Sequence, residues 1–248
     1  MRMRPFSSVL GLTLLAATVP AGGATAQGTD FLFRRPSVTV GARIGYALPR
    51  AGSEVFDFTR EQLTVDKSDF NALALGGELG VRVLERLDVA LGVGFEKSST
   101  RSEFRDWVDD DDLPIEQETR FTRVPVTVGV KAYLLERGRR ISRLAWIPEK
   151  WAPYLGAGAG IVWYRFEQVG DFVDFDTLEI FFDEFDSEAS SPLAYVAAGL
   201  DYSLGPRWLV NGEARYSLAS AAMGRDFVGF DDIDLNGFRA SVGVSVRF

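Results

Sequence analysis

The chain contains neither cysteine nor histidine. Without cysteine, disulfide scaffolds, thiolate metal sites and cysteine nucleophiles are excluded. Without histidine, Ser-His-Asp triads, the common zinc sites and imidazole acid–base catalysis are excluded as well. Positive charge is scarce: 27 basic residues face 35 acidic ones, a net charge of −8, which argues against nucleic acid as a partner. Long apolar runs are also missing. Beyond residue 30 the longest uncharged stretch is Trp151–Tyr164, 14 residues, short of the ~18 expected of a membrane-spanning helix. The charged (25%) and hydrophobic (46%) fractions are those of a folded chain, not a disordered one.

What is present begins with an address. Arg2 and Arg4 precede a short apolar stretch, Val9 to Val19, and Ala24-Thr25-Ala26 supplies small residues for cleavage. This pattern predicts a secretory signal peptide over 1–26. The apolar part is too short for the ~20 residues of a transmembrane anchor. Cleavage before Gln27 leaves 222 residues carrying a net charge of −10. The remaining chain divides into an N-terminal segment, 27–36, and a single domain, 37–248.

That domain alternates. In the last stretch Phe238, Ala240, Val242, Val244, Val246 and Phe248 share one face, and Arg239, Ser241, Gly243, Ser245 and Arg247 the other. The same period of two recurs near 38–46, 73–83, 87–95, 123–134, 154–163, 194–204 and 208–218. Eight strands are predicted, each about ten residues, close to the ~9–11 of a tilted membrane strand. Strands two and three join near Glu85-Arg86, and six and seven through Gly205-Pro206-Arg207. Connections over 47–70, 97–121, 165–192 and 219–236 are long, and 136–151 is intermediate. Short turns on one rim and long loops on the other characterise outer-membrane barrels.

A soluble eight-stranded barrel of the lipocalin kind also alternates, with its apolar face inside. The polar faces here mix glycine and serine with single charges of both signs, which suits a narrow packed lumen. The apolar faces carry no charge along their central stretches, as lipid contact requires. Tyr46, Phe95, Trp163, Tyr202, Trp208 and Phe238 lie near strand ends, where interfacial aromatics belong. The expected fold is all-β: a transmembrane, eight-stranded, antiparallel up-and-down barrel with short periplasmic turns and long extracellular loops.

Three stretches carry a family resemblance: Ser245-Val246-Arg247-Phe248, Lys150-Trp151-Ala152-Pro153-Tyr154-Leu155-Gly156-Ala157-Gly158, and Arg123-Val124-Pro125-Val126 running on to Lys131-Ala132-Tyr133-Leu134. They resemble the eight-stranded outer-membrane barrels of Gram-negative bacteria, the OmpA-, OmpX-, OmpW- and opacity-protein-like group. The resemblance implies a location in the cell outer membrane and contact with its lipid and lipopolysaccharide. It also implies that Phe248, the terminal aromatic, is a signal for the barrel-assembly machinery. The chain ends at the last strand, so the peptidoglycan-binding domain of full-length OmpA-like proteins is not expected.

Strand parity puts Arg43, Arg82, Arg123, Lys131, Arg215, Arg239 and Arg247 in the lumen with Glu78, Asp88, Glu96, Asp201 and Glu213. Eight strands leave an interior just wide enough for side chains, and charges buried there must pair. Arg43, Glu78, Glu213 and Arg215 fall near mid-height, with Lys131 close by, so an ion-pair plug is expected among them, within a lumen ion-pair network that also takes in Arg82, Arg123 and Arg239. The alternative is a gated pore.

The long-loop rim is acidic. Asp171, Asp174, Asp176, Glu179, Asp183, Glu184, Asp186 and Glu188 crowd the third loop, and Asp109-Asp110-Asp111-Asp112 the second. These are expected to be solvated surface, with divalent cations as a possible partner. Asp232, Asp234 and Asn236 match the start of a calcium loop, but its twelfth position is Gly243, not the bidentate Glu required. The opposite rim is basic, with Arg137, Arg139, Arg140, Arg143 and Lys150, and Trp146 and Trp151 are placed at the inner interface. The third loop also carries Phe166, Phe172, Phe175, Phe181, Phe182 and Phe185, a candidate apolar mouth, and strands five and six are expected to continue there as a hairpin above the membrane.

Gly156-Ala-Gly158-Ala-Gly160 lacks the spacing and following helix of a nucleotide fingerprint, and reads as close packing in a barrel wall. Barrel enzymes of known kinds resemble families that depend on histidine. The reading is a monomeric barrel without cofactor or catalysis, structural or surface-interacting. The alternative is a narrow channel or lateral route for small hydrophobic solutes.

Overall fold

The computed structural model describes residues 32, 34–109, 112–142, 145–174, 177 and 179–248. The expected signal peptide, most of the segment 27–36, and Asp110, Asp111, Arg143, Phe175 and Asp176 lie outside the described residues. Eight strands form a closed barrel: β1 (Val38–Pro49), β2 (Ala72–Leu84), β3 (Leu87–Val108), β4 (Pro114–Tyr133), β5 (Trp151–Val173), β6 (Ile180–Ser203), β7 (Trp208–Leu218) and β8 (Gly237–Arg247). Each pairs antiparallel with its neighbours in sequence, and β1 closes on β8 through a register containing Val40 opposite Val246. Among the described residues no helix is long and apolar enough to cross a membrane.

Alternation sorts the side chains as the sequence implies. Val40, Ile44, Leu75, Leu91, Val128, Leu155, Val196 and Val242 are exposed on the outer wall, while Glu213, Lys131, Arg123, Asn211 and Thr127 are buried inside. Trp151 and Trp163, both outward on β5, stand twelve residues apart, about 30 Å of height at ordinary strand rise and tilt. That is the height of an uncharged belt bounded by aromatics. Trp151 packs on Tyr202 at 4.5 Å on the lower edge; Tyr46, Phe95, Trp163 and Phe238 mark the upper one.

The central staves run past this belt. β3 to β6 have 20 to 24 residues each, roughly double the membrane stretch. β5 and β6 continue as the expected hairpin up to Val173↔Ile180, whereas the extension of β3 and β4 departs from expectation. The stretch 97–121, expected to be loop, is strand almost throughout, and β3 pairs β4 from Leu87↔Ala132 up to Glu103↔Glu116. Above the belt the outward residues become Lys97, Ser99, Arg101 and Glu103. The lipid-facing pattern stops there while the pairing continues.

Inside this upper portion lies an apolar core. The helix α1 (Glu54–Gln62) from the first loop turns into the mouth and buries Val55, Phe56 and Thr59. Phe56 meets Phe70, Phe121 and Phe166 edge-on at 4.8, 5.4 and 5.7 Å, and Phe166 meets Phe227 of the fourth loop at 5.6 Å. The first and fourth loops are laced together: Glu54 N–H donates to Asp231 and Asp231 N–H to Glu54. The mouth is therefore closed by side chains packed as in a soluble domain.

Candidate functional site in the barrel lumen

Three layers fill the lumen below that apolar closure. The middle one centres on Glu213 of β7, whose side chain is 1% exposed. Arg43 of β1 reaches it at 2.9 Å, Arg215 at 2.9 Å, and Lys131 of β4 at 3.9 Å. The Tyr154 hydroxyl donates to Glu213 at 2.8 Å. Glu78 of β2 bridges back to Arg43 at 2.9 Å and pairs with Lys131. Five charged groups from four strands are thus joined in one network.

A second cluster lies toward the long-loop rim. Arg123 and Arg239 share Glu96 at 2.6 and 3.2 Å, and Arg123 also donates to the Leu235 carbonyl at 3.2 Å. Arg239 stands directly across from Arg215 in the β7–β8 register. Glu96 and Glu213, one on each side, offset that like-charge contact. Cavities left at these heights are about 30 and 20 Å³, room for one or two water molecules. Arg43 Nε and Asn211 Oδ1 are buried without a protein partner, and water is the group that fits them.

The third layer closes the short-turn rim. Residues Gly138–Ser142 and Ala145–Pro148 form a hairpin that folds beneath the barrel. Its Trp146 is 3% exposed, bridges Leu32, and lies under the guanidinium groups of Arg82 and Arg247 at 5.7 and 5.8 Å. Trp146 is therefore inside the mouth, not at the lipid interface where its sequence position suggested. Pairing of the hairpin with the N-terminal segment swings it inward. Arg137 holds Asp88 with both terminal nitrogens, at 2.5 and 2.7 Å, the bidentate geometry that arginine favours with a carboxylate. Beside it the Tyr133 hydroxyl donates to Asp201 at 2.9 Å.

Of the lumen residues singled out from sequence, Arg43, Glu78, Lys131, Glu213 and Arg215 meet in the middle layer. Arg123 and Arg239 meet around Glu96. Arg82 joins neither, and lies by Trp146. Asp234 and Asn236 spend their side-chain oxygens on loop amides: Asp234 accepts from Gly52 and Asn236, and Asn236 from Ala219. Phe248 is exposed at the short-turn rim, its amide donating to Val38 at 2.8 Å. Of the third-loop rings, Phe166 is buried in the apolar core, and Phe172 packs against Phe181 and Phe185. The sequence reading missed the part of Arg137, which stands in a run of arginines that nothing local distinguishes. Tyr154 and Tyr195 were legible by parity alone; the facing glycines hint at their size.

A closed eight-stave wall, apolar outside and charged inside, defines a transmembrane β-barrel. The chain belongs to the outer membrane protein beta-barrel domain family, which it matches over residues 9–248. It is an outer-membrane protein that spans the membrane with strands. Among solved structures it is similar to Neisserial surface protein A, with 15% identity and a TM-score of 0.46 over 89% of this chain and 98% of that one. Ail, the attachment invasion locus protein of Yersinia pestis, aligns with 16% identity and a TM-score of 0.42 over 86% of this chain and 100% of that one. The outer membrane protease OmpT from Escherichia coli aligns at 12% identity and a TM-score of 0.39, over 86% and 94% of the two chains. No curated protein matches it.

Proposed function

We propose that this barrel is a sealed scaffold whose role is structural or surface-interacting, and that it neither conducts nor catalyses. The observation that carries this reading is the middle layer. Glu213, Glu78, Arg43, Arg215 and Lys131 span the lumen, and the gaps beside them are water-sized. Among the described residues this packing supports a lumen closed to a hydrated ion or solute, since opening it breaks several buried ion pairs together. A lateral route for hydrophobic solutes needs an apolar passage from the third loop into the wall. The rings nearest that passage, Phe121 and Phe166, pack on each other at 6.2 Å and on Phe56. Catalysis by an imidazole base is excluded by composition.

In this reading the barrel presents an acidic crown, with Asp171, Asp183, Glu184 and Asp186 on the β5–β6 extension. Its partners are outer-membrane lipid on the belt, lipopolysaccharide and its divalent counterions above, and the assembly machinery at Phe248. The molecule acts as a monomer. Planar-bilayer recordings test the seal. Wild type is expected to give no stable open state, and Glu78→Ala, which releases Arg43 and Lys131, is expected to raise conductance. A steady open state in wild type that Glu78→Ala does not increase overturns the reading.

A further inference from the structure

The periplasmic rim holds a cavity that the seal does not use. It measures about 420 Å³, within the ~300–1,000 Å³ of small-ligand sites. Arg35, Arg82, Arg137, Arg139 and Arg140 line it with Glu85 and Glu136, above the Trp146 ring. The acids are already engaged. Glu85 pairs with Arg35 at 2.9 Å, Glu136 with Arg86 at 3.6 Å, and the nearby Asp88 with Arg137. Among the described residues no carboxylate forms an ion pair with Arg82, Arg139 or Arg140. Arg82 Nε and Arg137 Nε are, moreover, buried without a hydrogen-bond partner. Guanidinium groups drawn together and left with unmet donors are costly unless an anion joins them.

From this the geometry points to a binding site for a phosphate group. The planar arginine fork matches phosphate oxygens two at a time, and three arginines without a carboxylate partner among the described residues, Arg82, Arg139 and Arg140, line one cavity. The height of the site suggests where the phosphate comes from. Leu84, Leu134 and Leu135 are exposed beside it, and Trp151 with Trp208 marks the lower edge of the belt. Headgroup phosphates of the inner leaflet therefore lie level with the cavity. A free phosphate compound of the periplasm offers the same chemistry from below.

The test uses the full-length folded protein in non-ionic detergent, with two probes. Native mass spectrometry follows titration with phosphatidylglycerol, and calorimetry follows titration with inorganic pyrophosphate. Wild type is expected to take up one saturable equivalent of at least one probe, more weakly at high salt. Affinity is expected to fall at least tenfold in Arg82→Met and in the double variant Arg139→Gln/Arg140→Gln, and to stay unchanged in Arg207→Gln, a basic change on the same rim outside the cavity. Arg139 and Arg140 are exposed on the hairpin, so the double variant keeps the test valid where Arg82→Met fails to fold. Uptake of lipid alone assigns the leaflet as source, and uptake of pyrophosphate alone assigns the periplasm. No saturable binding in either arm, equal weakening in Arg207→Gln, or full affinity in the double variant overturns the proposal.

Discussion

Tyr154 on β5 stands directly across from Gly199 on β6, and its ring occupies the space a side chain at 199 would need. A Cβ at Gly199 would meet Tyr154 Cζ at 2.3 Å and the Gly212 carbonyl at 2.8 Å. The same device repeats one step up, where Gly158 lies opposite Tyr195 and leaves room for that ring. Through these glycines the rings lie flat enough for Tyr154 to cap Glu213 and for Tyr195 to stack on Arg215 at 4.0 Å.

Gly199→Ala is therefore expected to destabilise the barrel by about 1–3 kcal/mol, the usual cost of forcing a methyl into a packed interior. Gly212→Ala provides the contrast, because a Cβ there meets nothing within 4 Å. It is expected to stay within about 0.5 kcal/mol of wild type. Urea unfolding in lipid vesicles measures both. Equal stability of the two variants would remove the tyrosine–glycine argument.

Glu213 is the hub of the middle layer, so its removal should cost more than one contact. Glu213→Ala leaves Arg43, Arg215 and Lys131 facing one another, with Glu78 the remaining acid among them. Breaking a buried pair from one side typically costs about 3–5 kcal/mol, and that is the expected loss in the same unfolding assay. Adding Arg43→Ala to Glu213→Ala is expected to cost less than the two single changes together, because one deletion removes the charge that the other strands. Strict additivity would mean that the two side chains do not interact.

How far this was legible in the sequence depends on which surroundings a residue answers to. Strand parity answers to the boundary between lipid and lumen, and it assigns Arg43, Glu78, Lys131 and Glu213 to the face on which their side chains are 1–14% exposed. Parity fixes the face and says little about which neighbour a long side chain reaches, so Arg82 was grouped with a network it does not join. The upper halves of β3 and β4 were missed because their outward residues meet water, as at Arg101 and Glu118. An alternating polar face over scattered inward Phe104, Ile115 and Phe121 lacks the signal of a lipid-facing strand. Arg137 and Trp146 depend on a hairpin folding inward, and no local pattern announces that.

The portion above the belt answers to the rules of soluble cores, and Phe56 is its centre. Phe56→Ala is expected to cost about 3–5 kcal/mol of packing locally. Because those contacts lie outside the belt, the loss should appear as opening of the upper portion, not of the whole barrel. Limited proteolysis on intact cells should cut near α1 and the fourth loop. The heat-dependent gel shift of the barrel should remain. Protease resistance equal to wild type would show that the loops are held by something other than the Phe56 cluster.

Glu118 lies on the same upper extension, outside the spanning segment, and accepts hydrogen bonds at 2.5 Å from Arg120 and from Ser99 across the pair. The Arg120 hydrogen bond, then that of Ser99, holds the Glu118 carboxyl down at about 2, below its ordinary 4.5. A carboxyl depressed by folding stabilises the folded form fully above the ordinary value, and the contribution is lost as pH falls through the depressed one. The pairing of β3 with β4 at Ser99↔Arg120 is therefore expected to hold from pH 7 to about 4.5. It should then weaken progressively toward pH 2. Because the side chain is about a quarter exposed, salt should reduce the effect. Carboxyl carbon shifts of Glu118 followed by NMR in micelles check this directly. Glu118→Gln should abolish the acid-induced rise in amide exchange at the pairing. A midpoint near 4.5 in wild type would place Glu118 in free solution and dissolve the contact.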